Sequence, residues 1–228
     1  MESLLLIAAS LISIVSSEML IRSYLKARAR QLACKGVAGV AMGFYAIALA
    51  LLAYGYFRGW GLDGDFSMAS ATFKTAYFLQ HLVPGLLAIV VLMHLSYAIQ
   101  SLIATAVLTI ASFLLAVTIA RARVDLGEVA FSSFNSAIAE PLPQALAVAL
   151  LVAGVVFATA LYLYAYLRRE KTVAYLAVAL GVLVLALAVL AEDFGLAEPL
   201  FVSALKLVSA VAMSYGLLSI KSHTGPLC

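Results

Sequence analysis

The chain has 228 residues, of which 65% are hydrophobic and only 11% are charged, with a formal net charge of +3. A soluble domain carries roughly 25% charged residues, so this composition predicts a multi-pass protein of the cell membrane with the lipid bilayer as its first partner. It leaves no room for a soluble catalytic domain, and we do not expect an enzyme. The small basic excess is a signal of membrane topology and does not suggest nucleic acid.

Seven membrane spans are predicted in chain order, because apolar runs long enough to cross a hydrocarbon core of about 30 Å recur along the whole sequence. They cover residues 3–25, 32–57, 74–98, 101–121, 143–167, 171–191 and 198–220. The runs are continuous and not alternating, which excludes a β-barrel. The first span lacks a basic leader and a small-residue cleavage site, so we interpret it as a retained helix. The fold class is therefore all-α, with a single membrane domain over residues 1–228.

Lysine and arginine residues set the predicted orientation. Four lie around the second, third and fourth spans on one side, and nine lie on the other side: Arg22, Lys26, Arg28, Arg30, Lys35, Arg168, Arg169, Lys171 and Lys221. Because cytoplasmic loops carry the excess of basic residues, the N-terminus is expected outside and the C-terminus in the cytoplasm. The external segment 122–141 has apolar residues at helical spacing, which predicts a short interfacial helix that could cover the bundle as a lid.

The two halves of the chain share short sequence similarities. Span one ends SYLKARARQ and span five ends AYLRREK, while span three ends LSYAIQS and span seven ends MSYGLLS. Spans one and five cross in the same direction, so we predict a parallel 3+1+3 pseudo-repeat with halves 1–98 and 143–221 and a linker helix 101–121. The single Asn and four Gln of the chain are a scarcity of thermolabile amides that indicates a thermophile.

Three helices, a linker and three more helices, with the N-terminus outside, resemble two groups in architecture: the SWEET and PQ-loop sugar transporters, and the microbial rhodopsins. Pro143 and Gln144 match the PQ motif, but they lie at the start of span five and span one has no equivalent. Microbial rhodopsins hold retinal on a lysine of the seventh helix, where Lys206 lies. The counterion in that family comes from the third helix, and span three here contains no Asp or Glu.

Lys206 interrupts the apolar run FVSALKLVSAV of span seven. An ionisable residue inside a span is costly and indicates function by default, together with a named partner. Glu198, two turns toward the outside, is the preferred partner, and Glu192 and Asp193 at the end of span six are the others. Snorkelling of the long side chain to the interface is the alternative.

Gln80 and His81 of span three lie at a depth similar to that of Lys206. Together with Glu198, these residues are predicted to line a water-filled vestibule open to the outside. Polar stripes on three spans would extend the vestibule as an internal path, with close helix packing as the alternative. They consist of Ser10, Ser13 and Ser17 on span one, Ser101, Thr105, Thr109 and Ser112 on span four, and Ser203, Lys206 and Ser214 on span seven.

The function predicted from these features is a permease or channel for a small solute or ion. One alternative is a seven-helix receptor-like subunit, which would pass a signal to a partner subunit or a second copy of the chain. Another is a cofactor-binding subunit that holds retinal, haem or quinone through Lys206 or His81. No metal-ligand spacing is present in the sequence, and the identity of any cofactor is left open.

Overall fold

The computed structural model describes residues 1–26, 33–58, 66–95, 97–125, 137–168 and 172–220. Over these residues it contains seven helices: α1 (Glu2–Lys26), α2 (Ala33–Phe57), α3 (Phe66–His94), α4 (Ala98–Arg121), α5 (Pro141–Arg168), α6 (Val173–Asp193) and α7 (Pro199–Ser219). All seven are long and apolar enough to cross a membrane. The predicted all-α fold with seven membrane helices is therefore confirmed.

The largest difference from the predicted spans lies in α3. This helix begins at Phe66 and ends at His94, whereas the apolar run predicts a span over residues 74–98. Residues 66–73 contain no Gly or Pro that would break a helix, so the helix extends beyond its most apolar window. At the other end α3 stops at His94, four residues before the predicted end of the span at residue 98.

Six helices form a ring in the order α1, α2, α3, α5, α6, α7, and α7 closes the ring against α1. The fourth helix, α4, lies outside this ring against α3 and α5 and is the least buried of the seven spans. The contacts α1–α2 and α2–α3 of the first half have counterparts α5–α6 and α6–α7 in the second half. This order suits a linker role for α4, while the internal repeat itself stays a prediction.

The serine stripe of α1 belongs to the interface with α2. Ser10 donates its hydroxyl to the carbonyl of Ala46 at 2.9 Å, and Ser17 donates to the carbonyl of Gly39 at 2.7 Å. Small and hydroxylated residues let membrane helices approach closely and hydrogen-bond across the interface. These two serines therefore have a packing role in the described structure.

The polar stripe predicted on span four does not line an internal path. Thr105 and Thr109 are exposed on the outer surface of α4. Their hydroxyls donate to the carbonyls of Ser101 and Thr105, one turn earlier in the same helix. A hydroxyl that bonds its own helix in this way is compatible with lipid, so a hydroxyl stripe does not distinguish an interior face from a lipid face.

Helices α3 and α5 approach each other closely at Gly154. A Cβ atom added there would lie 2.7 Å from the backbone nitrogen of Gly85 and 3.1 Å from the carbonyl carbon of Pro84. Both of these atoms belong to the backbone, so a side-chain rotation cannot relieve the clash. Gly154 thus sets the distance between the two helices at Pro84, which follows His81 by three residues on α3.

We expect Gly154→Ala to lower the free energy of unfolding by about 1–3 kcal/mol, the usual cost of overpacking an interior. Denaturation of the purified protein in detergent micelles would measure the loss. Gly43→Ala is the control, because a Cβ atom there would meet only the Ser17 hydroxyl, at 3.2 Å. Equal stabilities of the two variants would contradict this account of the α3–α5 contact.

The external segment between α4 and α5 is described only at its two ends. Val124 and Ile138 form an isolated antiparallel bridge, in which the Asp125 amide donates to the Ala137 carbonyl at 2.8 Å. The interfacial helix predicted within residues 122–141 falls mostly on residues 126–136, which lie outside the described residues.

Candidate functional site

Lys206 forms a buried ion pair with Glu192. Its ammonium lies 2.5 Å from Oε2 of Glu192 and donates to Oε1 of Gln80 at 3.1 Å. The lysine side chain is 1% exposed and the glutamate side chain 5%, so Lys206 faces the interior of the bundle and does not snorkel. The lysine lies seven residues inside α7, or about 10 Å below the first residue of that helix at 1.5 Å per residue.

The preferred partner predicted for Lys206, Glu198, is wrong. Glu198 is exposed at the N-cap of α7, about 12 Å along the helix axis from Lys206. Helical side chains lean toward the N-terminus of their own helix. The antiparallel helices α6 and α7 therefore direct Glu192 and Lys206 toward each other, whereas Glu198 leans away into solvent.

The carboxylate of Glu192 has hydrogen-bond donors on both of its oxygens. Oε2 accepts from Lys206 and from the amide of Gln80, which lies 3.3 Å away, and Oε1 accepts from the hydroxyl of Tyr56 at 3.3 Å. Three hydrogen-bond donors, one of them an ammonium, favour the ionised form of a carboxylate. In the sequence, Tyr56 stands in an aromatic cluster typical of the membrane interface, so its contact with Glu192 could not be predicted from that pattern.

A second acid–base pair lies beside the first. Nε2 of His81 is 2.9 Å from Oδ2 of Asp193, and both side chains have no exposed surface. Nδ1 of the same ring lies 2.6 Å from the Tyr77 carbonyl oxygen. The second carboxylate oxygen of Asp193, Oδ1, has no hydrogen-bond partner among the described residues. The dipeptides Gln80-His81 of α3 and Glu192-Asp193 of α6 thus face each other.

The two acids are held on the last turn of α6 by a C-terminal cap. Gly195 adopts a positive φ of 62°, and its amide and that of Leu196 bond back to the carbonyls of Glu192 and Ala191. This pattern of two bonds is the Schellman motif, which ends a helix at glycine. Negative charge is unfavourable at a helix C-terminus, so the acids depend on basic partners from α3 and α7.

The backbone of α7 is fixed around Lys206 by two further hydrogen bonds. The hydroxyl of Tyr45, on α2, donates to the carbonyl of Lys206 at 3.0 Å. One turn further along α7, Ser209 donates to the carbonyl of Gly181 on α6 at 2.8 Å. These contacts place the lysine between α2, α3 and α6. Neither Tyr45 nor Ser209 has a sequence pattern that predicts this role.

Buried polar groups are also present toward the opposite end of the bundle. His94 of α3 hydrogen-bonds the hydroxyl of Tyr175 on α6. Both residues line a cavity of about 30 Å³ together with Tyr162, whose buried hydroxyl has no partner among the described residues. A cavity of that size can hold a water molecule. Thr159 and Ser214 also have buried hydroxyl oxygens without a described partner.

The vestibule predicted around Lys206 is closed in this structure. Lys206 and His81 are 0% exposed, Gln80 is 1% exposed and Glu192 is 7% exposed, so water outside the bundle does not reach them. A cavity of about 590 Å³ is instead a groove between α3, α4 and α5. Its lining is almost entirely apolar and includes Leu108, Leu150 and Phe157, which is the surface expected of a groove that faces lipid.

The ligand positions of His81 are already occupied by protein atoms. Its two ring nitrogens contact Tyr77 and Asp193, so neither one is directed toward space that haem iron could fill. Within the described ranges, no group of three or more His, Cys, Asp or Glu residues could hold a metal ion. No protein-family model, no curated protein and no solved structure matches this chain.

Proposed function

We propose that this integral membrane protein is a permease for a small solute or ion, and that the side chains of Gln80, His81, Glu192, Asp193 and Lys206 form its binding site. The observation that carries the proposal is the pair of acid–base contacts buried between α3, α6 and α7. Ionisable residues inside membrane bundles mark substrate and ion pathways. The further polar groups around His94 place hydrogen-bonding side chains toward the other end of the same bundle.

A purely structural role is a weak explanation for these charges. Replacing a buried ion pair by apolar residues of similar volume is often neutral or stabilising, because desolvation of the two ions offsets their attraction. A bundle as apolar as this one does not need charges to pack, because α1 and α2 pack through small residues and the neutral hydroxyls of Ser10 and Ser17. The charges are therefore better explained by a ligand that they bind.

The closed site implies that the bundle opens during transport. Transporters of this size commonly rock one group of helices against another around a central site. The Gly195 turn joins α6 to α7 next to the acids, and a glycine with positive φ can absorb backbone rotation there. Opening at this end would separate the two acids from Lys206 and His81 and admit the solute between them.

The proposal is tested by flux into liposomes that contain the purified protein. Stopped-flow light scattering would follow swelling and shrinking with glycerol, urea, glycine, potassium chloride and ammonium chloride as probes. At least one probe should cross faster than it crosses protein-free vesicles of the same lipid. Rates equal to those of protein-free vesicles for every probe would contradict the proposal.

The predicted orientation places the site at the external end of the bundle. Arg58 and Arg168 are exposed residues at opposite ends of the described spans. In a chain whose two native cysteines are replaced by serine, Arg58→Cys should react with an impermeant thiol reagent in intact cells. Arg168→Cys should react only after permeabilisation. The reverse labelling pattern would show that the site opens to the cytoplasm.

A further inference from the structure

The two contacts of His81 determine where its protons must be. A carbonyl oxygen can only accept a hydrogen bond, so Nδ1, which lies 2.6 Å from the Tyr77 carbonyl, carries a proton. The other nitrogen, Nε2, lies 2.9 Å from Oδ2 of Asp193. That distance fits a hydrogen bond, which needs a second proton, located either on the imidazole or on the carboxyl group.

The two neighbouring acids differ in how they are hydrogen-bonded. Glu192 accepts three hydrogen bonds, one of them from an ammonium. Among the described residues, Asp193 has one hydrogen-bond contact, to His81, and its Oδ1 has no partner although the residue is 0% exposed. A buried charge is costly unless it is well paired. The charge of Glu192 is thus compensated by three donors, whereas Asp193 depends on His81 as its hydrogen-bond partner among the described residues.

We propose that His81 and Asp193 form a proton-binding site that holds one exchangeable proton between Nε2 and Oδ2. With the proton present the pair is formally neutral, and the adjacent Lys206–Glu192 pair is neutral as well. Loss of the proton leaves one negative charge beside Glu192 and removes the hydrogen bond between α3 and α6. The lone pair of Nε2 then faces a carboxylate oxygen, so the two side chains must separate.

Over the residues that face this end of the bundle, helices α4 and α5 contribute no competing proton acceptor. Residues 98–120 of α4 and 141–161 of α5 contain no titratable side chain. The titratable groups near the pair come from α2, α3, α6 and α7: Tyr45, Tyr56, Tyr77, Glu192 and Lys206. Of these, Glu192 and Lys206 neutralise each other, and the tyrosines keep their protons at physiological pH.

The link to transport rests on the proposed function, whereas proton binding itself does not. A site that separates α3 from α6 when it loses a proton would open the same cluster that we propose binds the solute. Transport should then depend on pH through His81 and Asp193. Solute flux across a pH gradient would thus be coupled to movement of this one proton.

Nitrogen NMR of ¹⁵N-histidine protein in liposomes tests the site directly. The chain has three histidines, and the spectrum of His81→Gln identifies the His81 signals by their absence. Across the pH range in which the protein stays folded, the Nε2 signal of His81 should shift while Nδ1 stays protonated. An Nε2 signal that stays constant over this range in the parent protein would overturn the proposal without any further variant.

Asp193→Asn should abolish the Nε2 shift, because an amide can donate to a neutral imidazole without exchanging a proton. Glu198→Gln, which removes an exposed acid close by, should leave the shift unchanged. An Asp193→Asn protein in which Nε2 shifts as in the parent would also overturn the site. Absence of flux together with an intact Nε2 shift would refute only the permease, and a constant Nε2 signal together with intact flux would refute only the proton site.

Discussion

Glu192→Gln should lower the free energy of unfolding by about 3–5 kcal/mol, the usual cost of breaking a buried ion pair by removing one partner. The substitution keeps the shape of the side chain but leaves the Lys206 ammonium, which is 0% exposed, without a counter-charge. The amide can also still accept from Tyr56, so the loss is chiefly electrostatic. Denaturation in detergent micelles would measure the loss.

Glu198→Gln is the matched control for this prediction. It removes the same charge from an exposed position six residues later, and substitutions at exposed sites usually change stability by less than about 0.5 kcal/mol. Equal stabilities of the Glu192→Gln and Glu198→Gln proteins would show that the buried pair is not formed in the membrane protein.

Lys206→Met should destabilise the bundle by a similar amount at neutral pH, about 3–5 kcal/mol, because it leaves the Glu192 carboxylate buried without its ammonium. This loss of stability should become smaller as the pH falls. A carboxyl group can take up a proton and become neutral, and this removes the uncompensated charge. The direction of this pH dependence follows from proton binding. Without Lys206, the folded protein holds a proton on Glu192 more readily than the unfolded chain does. Low pH therefore favours the folded state of the variant.

Unfolding measured at acidic and at neutral pH would test this asymmetry. Lys26→Met, at an exposed position near the end of α1, is the control and should show no pH-dependent difference from the parent. A Lys206→Met protein whose deficit grows as the pH falls would contradict the pairing with Glu192.

The sequence was sufficient to predict the membrane class and the seven helices, because continuous apolar runs of span length have few other interpretations. It also identified Lys206, Gln80 and His81 as candidates from their depth. In the structure Lys206 contacts Gln80 directly, whereas His81 contacts Asp193, the residue after the Glu192 partner of Lys206. The depth of a residue in a span can be predicted because it follows from the number of residues between it and the end of the span.

The sequence could not determine which acid pairs with Lys206. Glu198 is nearer to Lys206 along the chain, whereas Glu192 comes close only through the antiparallel packing of α6 and α7 and the lean of their side chains. Tyr45 and Tyr56 are similar cases, because their hydroxyls reach the site from α2 across the bundle. Such contacts depend on helix rotation, and the nearly uniform hydrophobicity of these helices gives little indication of rotation.

The sequence also could not predict that the site is closed to water. A cluster of polar residues at one depth predicts a vestibule equally well whether the bundle is open or closed. The side chains of α3, α6 and α7 satisfy one another in this structure, and that mutual satisfaction allows them to be enclosed among apolar helices. Only the packed arrangement shows that the opening we propose would have to break two acid–base contacts.

The most direct test of the account is the flux through a protein that lacks both charges of the buried pair. Lys206→Met combined with Glu192→Gln removes the two charges together, so it should recover most of the stability that either single change loses. The control combines Lys26→Met with Glu198→Gln, which removes the same two charges from exposed positions. In liposomes, with the probe that the parent transports, the buried double variant should be folded and at least tenfold slower, a difference of about 1.4 kcal/mol. The exposed double variant should match the parent. A folded Lys206→Met/Glu192→Gln protein with the rate of the parent would contradict the claim that the buried cluster is the transport site.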